Sequence, residues 1–170
     1  DVLASNPTCT CSSLVVRQAV FDTAGLLRSD MKYAEDQEWL YRVLSADWAI
    51  QSIAHHTVGY RTTPAGLSSQ TEKMREGWLQ FIANAQSRDP ALVRRHLPRA
   101  RAMMELYYAH RGIGPNGLTA ISRNRLSAAL RQWPWIFITD PRRIAGLTLA
   151  ILKSRFAYTQ MKSLESARHV

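Results

Sequence analysis

The residues of this chain best suited to chemistry lie in one short run, Tyr33-Ala34-Glu35-Asp36-Gln37-Glu38-Trp39-Leu40-Tyr41-Arg42. From about Ala34 the apolar spacing becomes helical, and Asp36, Trp39, Leu40, Val43 and Leu44 fall on one face. Asp36 thus stands at a helix N-terminus, in line with the apolar stripe. Backbone N–H groups and the helix dipole favour its ionised form there. An inward-facing carboxylate is what a general base requires to take a proton from a hydroxyl within hydrogen-bond reach. The same pattern also has a purely structural explanation: Glu35, Asp36 and Glu38 complement the dipole of a first turn.

Four other groups could join such a site. His55 and His56 are adjacent, and neighbours on a strand point to opposite faces, so at most one of them can join a binding pocket, and a structural role for both is the other reading. Arg42 and Arg61 either pair with Glu38 or Asp36 or contact a diphosphate. Trp39 is core or a sugar-stacking platform, and its place on the apolar stripe favours core. Cys9 and Cys11 would share one face of an extended segment, too close in sequence for an easy disulfide. No further ligands follow them at zinc-like spacing, so they read as buried or half-buried free thiols and no metal site is expected.

The elements that would position these residues divide the chain. Ser13-Leu14-Val15-Val16 is β-prone, with the run beginning as early as Thr8, and Arg17 to Gly25 fits a short helix stopped by glycine. Trp48 to Tyr60 reads as one or two strands with Ile50, Ile53 and Val58 as core positions, and Thr62 to Ser69 as a loop. Everything beyond is helical. Ser69-Gln70-Thr71-Glu72 has capping-box spacing, with Met74, Trp78, Phe81, Ile82 and Ala85 on one face behind it. Asp89-Pro90 and Asp140-Pro141 are helix starts, Gly112 to Gly117 separates two helices, and Pro98 should break or kink its helix. Trp133-Pro134-Trp135 reads as an inter-helix packing corner.

Charge follows the same division. Residues 1–70 carry five basic and seven acidic side chains, a net of −2, whereas residues 71–170 carry 17 and 6, a net of +11. No apolar run reaches the ~20 residues needed to span a bilayer. Ile144 to Leu152 is far too short and is flanked by Arg142, Arg143, Lys153 and Arg155, which leaves an amphipathic helix lying on an anionic membrane as an option. The basic residues are scattered around helices without interleaved aromatics, so nucleic acid is not an expected partner. The chain opens on Asp1 without a leader pattern, which reads as a cut through a longer protein.

One resemblance covers about 65 residues. The strand Thr10 to Arg17, then Val20-Phe21, Ala24-Gly25-Leu26-Leu27, Glu35-Asp36, the helix through Arg42, and Tyr60-Arg61 leading to Leu67-Ser68 together resemble the acceptor-side half of a family 2 glycosyltransferase. The resemblance implies an α/β fold, a partial GT-A, Rossmann-like half over 1–70, followed by an all-α basic tail over 71–170. It implies an inverting transfer from a nucleotide-sugar donor to a glycan or lipid-linked acceptor, in cell-surface polysaccharide or glycolipid synthesis. Asp36 would be the catalytic base, Glu35, Trp39 and His55 would hold the acceptor, and Arg42 and Arg61 would reach the donor phosphates. A divalent metal (Mg or Mn) would be bound mostly by an earlier half, since no Asp-x-Asp element lies here and Thr63 stands where many relatives carry His. The implied location is cytoplasmic, peripheral on the inner membrane face. The alternative is a non-catalytic basic helical module that binds an anionic membrane surface, nucleic acid or a protein partner.

Overall fold

The structure, a computed structural model, describes residues 2–61, 63, 66–114 and 116–167. The chain forms two compact units, Asp1–Leu97 and Pro98–Val170, and each is mostly helical. Among the described residues the only sheet is a two-stranded antiparallel hairpin in the second unit. The expected Rossmann-like GT-A half is therefore absent, and the α/β assignment is corrected to a helical one.

The reason lies in the segments read as strands. Between Asn6 and Ser13, polar side chains close on the local backbone. Asn6 Oδ1 accepts from Thr8 N (3.0 Å), Thr10 Oγ1 from Ser12 N (3.4 Å), and Ser13 Oγ donates to Thr8 O (2.7 Å). Short Ser, Thr and Asn side chains offer the backbone an alternative to a ladder, and here a 3-10 turn over Cys11–Ser13 takes the strand's place. Val15 is fully exposed. Residues 48–61 form no regular element, and Ile50, Ile53 and Val58, expected in the core, are exposed. A β-prone run without a neighbouring edge gains neither ladder bonds nor a buried face. Of the expected loop over 62–69, Thr62, Pro64 and Ala65 lie outside the described residues.

The first unit is built on α1 (Gln18–Ala24), α2 (Glu35–Ser45) and α3 (Thr71–Arg88). Gly25 ends α1 at φ 72°, and its N–H donates to Phe21 O (2.9 Å). This left-handed position disfavours a Cβ, which would also lie 3.3 Å from Arg42 Nη1. Gly25→Ala is expected to lower stability by about 1 kcal/mol, measured as a shift in urea midpoint at unchanged slope. On α2, Trp39, Leu40, Tyr41 and Val43 are buried, and on α3 Trp78, Phe81, Ile82 and Ala85. The Tyr41 and Phe81 rings meet edge to face, 5.9 Å apart, and join the two helices. The chain's first residues complete this core: Val2, Leu3 and Ala4 are buried, Trp78 Nε1 donates to Leu3 O (3.0 Å), and Gln37 Nε2 donates to Val2 O.

At the expected capping box, Gln70 and not Ser69 is the residue that precedes the helix. Ser69 sits in a 3-10 turn with its hydroxyl on Gly66 O (2.5 Å), and α3 starts two residues later behind Gln70. Asp89 does cap α4 (Pro90–Arg111): its Oδ1 accepts from Leu92 N (2.9 Å). Pro98 lies inside α4, so the helix continues through a position that lacks an N–H donor. The boundary between the two units falls at this proline.

In the second unit, β1 (Ile113–Gly114) and β2 (Gly117–Leu118) pair with Ile113 opposite Leu118. This hairpin occupies the Gly-rich spacer that the sequence marked only as a break between helices; Pro115 within it lies outside the described residues. α5 (Ala120–Gln132) follows, capped by Thr119 Oγ1, which accepts from Ser122 N (3.1 Å). Then come one turn of helix, α6 (Ile136–Thr139), and the long α7 (Pro141–Ala167), which packs on the hairpin. Ala100, Met103, Leu106, Ala109, Ile136 and Leu147 are among its buried residues.

Candidate functional site

Of the residues singled out on α2, Asp36, Trp39 and Arg42 have their polar atoms engaged within the first unit. Asp36 accepts from Asn6 Nδ2 (2.6 Å) and from Gln37 N (2.8 Å), so one oxygen holds the N-terminal segment and the other serves the helix start. Ala34, just before the helix, takes a left-handed φ of 59°. Glu35 is half-buried, and burial first of all pushes its carboxyl above the ordinary range, with the Asp36 charge adding to it. Trp39 is buried with its ring stacked on Phe21, centroids 5.3 Å apart, and its Nε1 donates to Gly25 O (2.7 Å). Its faces are occupied by the core. Arg42 binds Glu38 through Nε (3.0 Å to Oε2), donates through Nη1 to Ala24 O, and through Nη2 to Leu26 O (2.8 Å). Its guanidinium thus ties α2 to the chain leaving α1.

The remaining candidates lie elsewhere. His55 and Arg61 are exposed in the irregular segment 48–61, and among the described residues no hydrogen bond or ion pair links them to α2. Cys9 and Cys11 are free and exposed, not buried as the sequence suggested. Cys11 nonetheless has its thiol pushed up, first by partial desolvation and then by the charges of Asp36 and Glu35. The arrangement around Asp36 therefore brings together Asn6, Glu35, Asp36 and the surroundings of Cys11, while His55, Arg61, Arg42 and Trp39 serve other places or none.

A different surface stands out in the second unit. Pro98–Val170 carries twelve Lys and Arg side chains against Glu105, Asp140 and Glu165, and so holds the entire net charge of +9. Asp1–Leu97 is balanced at ten against ten. Two of the three acids are already engaged: Asp140 with Arg99 (2.7 Å) and Glu105 with Arg125 (3.1 Å). The Asp140 carboxyl, which burial alone would raise, is held below its ordinary range by Arg99 and Thr139. Arg142, Arg143, Lys153 and Arg155 on α7 are all exposed.

Among these charges lies an apolar surface. On α7, Ile144, Leu147, Ile151 and Tyr158 recur at helical spacing and are buried or half-buried. Leu149, Leu152 and Phe156 also follow i, i+3, i+7 spacing, but on the opposite side, and each is more than half exposed. α7 thus has two apolar faces, of which the unit covers one. The turn before it adds Trp135, Phe137 and Ile138, also more than half exposed, around a fully buried Ile136. The expected packing corner at Trp133-Pro134-Trp135 is therefore anchored by Ile136 and Trp133, with Trp135 outside. The sequence flagged the charge of this region but missed its second apolar stripe, although the spacing of Leu149, Leu152 and Phe156 was there to be read.

No family model, curated protein or solved structure matches this chain. The described residues contain no group of three or more His, Cys, Asp and Glu side chains placed to hold a metal. Together with the missing parallel sheet, this overturns the glycosyltransferase assignment: neither the GT-A fold nor the transferase activity is retained. The nucleotide sugar, the acceptor and the divalent metal came from that resemblance alone and are not carried forward. Among the described residues no helix is long and apolar enough to cross a membrane.

Proposed function

We propose that this chain is a non-catalytic, basic helical module that binds an anionic membrane surface peripherally through Pro98–Val170. The observation that carries this reading is the segregation of charge: the whole excess of +9 belongs to one unit, and two of its three acids are already ion-paired. A Lys or Arg close to an anionic leaflet contributes about 1 kcal/mol, so several acting together hold a protein at the surface without an inserted span. The exposed apolar side chains between the basic ones favour lipid over a nucleic acid duplex, whose backbone offers them nothing. The cytoplasmic-side leaflet, rich in anionic lipid, is the surface this reading favours.

The test is co-sedimentation of the full chain with phosphatidylcholine vesicles, with and without phosphatidylserine. Binding should need phosphatidylserine and should weaken as salt rises from about 0.1 M to about 1 M, where the screening length falls from ~10 to ~3 Å. Arg142→Gln with Arg143→Gln should weaken it roughly tenfold or more. Equal binding to neutral vesicles at all salt concentrations would sink the reading. Capture of duplex nucleic acid with indifference to vesicles would replace it by a polyanion-binding one.

A further inference from the structure

We infer that the α6–α7 corner inserts into the lipid interface, with Trp135, Phe137 and Ile138 entering first and Leu149, Leu152 and Phe156 of α7 lying along the bilayer surface. This rests on the membrane reading above and adds to it an apolar contact that charge alone does not supply.

The argument begins with how the corner is held. Ile136 is fully buried and points the turn inward at one position only. Its neighbours on either side, Trp135 and Phe137, are thereby directed outward, as is Ile138. Trp133 Nε1 donates to Thr139 Oγ1 (3.1 Å), and Thr139 Oγ1 donates to Asp140 Oδ2 (2.8 Å). Arg99 then grips Asp140 with two bonds, Nη2 to Oδ1 (2.7 Å) and Nε to Oδ2 (3.2 Å). Backbone bonds from Thr139 N to Trp135 O (3.0 Å) and from Asp140 N to Ile136 O (3.0 Å) close the turn. The exposed aromatics thus sit on an ordered scaffold, and little conformational entropy remains to be lost when they bind.

The chemistry of the occupant follows from what surrounds this surface. The apolar stripe of α7 is bordered by Arg142, Lys153 and Arg155, and the unit as a whole is strongly positive. A second copy of the chain would bring the same charge against itself, so a symmetric contact is opposed. An anionic bilayer answers both halves of the surface: headgroups for the cations and acyl chains for the apolar side chains. A helix that lies in the interface shows this combination, with Trp and Phe at headgroup depth and Lys and Arg beside them. The long stems of the basic residues can lie along the apolar surface while their charges reach the headgroups.

The test uses the full chain and vesicles of phosphatidylcholine and phosphatidylserine containing brominated acyl chains. Bromine quenches a tryptophan only when the ring enters the lipid. We expect quenching in the wild type that is largely lost in Trp135→Phe, which keeps the ring apolar but removes the reporter. Phe137→Asp with Ile138→Asp should lower vesicle partitioning at least tenfold while the far-ultraviolet circular dichroism stays unchanged. Leu152→Asp, at an exposed position in the middle of α7, provides a second variant that does not touch the turn and should also weaken partitioning severalfold. Salt-sensitive binding without quenching, and with all three variants equal to wild type, would overturn insertion and leave the electrostatic reading standing. No binding to phosphatidylserine vesicles at low salt would remove both. A concentration-dependent dimer that Phe137→Asp with Ile138→Asp dissolves, without quenching, would reassign the face to self-association and overturn the inference.

Discussion

Arg42→Ala should destabilise the Asp1–Leu97 unit by about 3–5 kcal/mol, the cost expected when one partner of a buried ion pair is removed. Glu38 is 1% exposed, and Arg42 is its ion-pair partner at 3.0 Å. Without the guanidinium the carboxylate stays in the core without its counter-charge, and Ala24 O and Leu26 O lose a donor as well. A surface pair at the same i, i+4 spacing is worth only about 0.3–0.5 kcal/mol; burial makes the difference. Two controls sharpen the measurement. Glu38→Gln keeps the shape and leaves Arg42 on both carbonyls, so it should cost less. Glu38→Leu combined with Arg42→Met removes both charges and should recover much of the loss, because an apolar replacement of a buried pair is often tolerated. Denaturant unfolding followed by tryptophan fluorescence gives the magnitude, and hydrogen exchange at the α2 amides places it in the first unit. A loss under about 1 kcal/mol for Arg42→Ala would mean that water reaches Glu38.

This pair also shows what the sequence could and could not say. The Glu38–Arg42 spacing was visible. It was legible because a helix is closed by bonds four residues apart, so one stretch of chain contains its own evidence. The same holds for Gly25 at the end of α1, for Asp89 before α4 and for the buried face of α3. Partners distant in sequence were hidden. Nothing near Asp36 announces Asn6, thirty residues upstream, as the donor that engages it. Nothing near Trp78 points to Leu3 O.

The strand assignments failed for the same reason. A helix needs only its own residues, whereas a strand at 8–16 or 48–60 needs an edge elsewhere, and β-prone composition does not supply one. Asn6, Thr10 and Ser13 tipped the first segment into local turns. The ordered set of small motifs that resembled a glycosyltransferase was thus a set of local patterns without the sheet that would connect them. In the second unit the charge excess was legible by counting. The outward stripe of α7 was not used, because a helix apolar on two sides does not say which side the fold will cover. That choice is made by the β1–β2 hairpin, a feature four described residues in size that sequence pattern marked only as a spacer.

Gly77→Ala should lower stability by about 2 kcal/mol, although alanine is the better helix former. In an exposed helix interior the exchange gains about 1 kcal/mol. At Gly77, in the middle of α3, a Cβ would stand 2.5 Å from Tyr33 Cβ, 2.6 Å from Tyr33 O and 2.9 Å from Tyr33 C. Two of these three atoms are backbone, and the backbone there has little room to yield. Tyr33 precedes Ala34, whose left-handed φ of 59° sets the entry to α2, and the Tyr33 hydroxyl donates to Gln70 Oε1 (3.2 Å) at the start of α3. Moving Tyr33 away from α3 therefore disturbs the seat of α2, on which Asp36, Glu38 and Trp39 depend. Overpacking of a close contact costs about 1–3 kcal/mol and occasionally more, which outweighs the gain in propensity. Gly146 on α7 is the matched control: no atom lies within 4 Å of its added Cβ. Gly146→Ala should accordingly be neutral or stabilising by up to about 1 kcal/mol. The same substitution in two helices is thus expected to act with opposite signs, measured as the shift in denaturation midpoint of each variant. If Gly77→Ala proved as harmless as Gly146→Ala, α3 would not press on Tyr33 as closely as the packing of α2 requires, and the account of how the first unit holds its polar residues in place would fail with it.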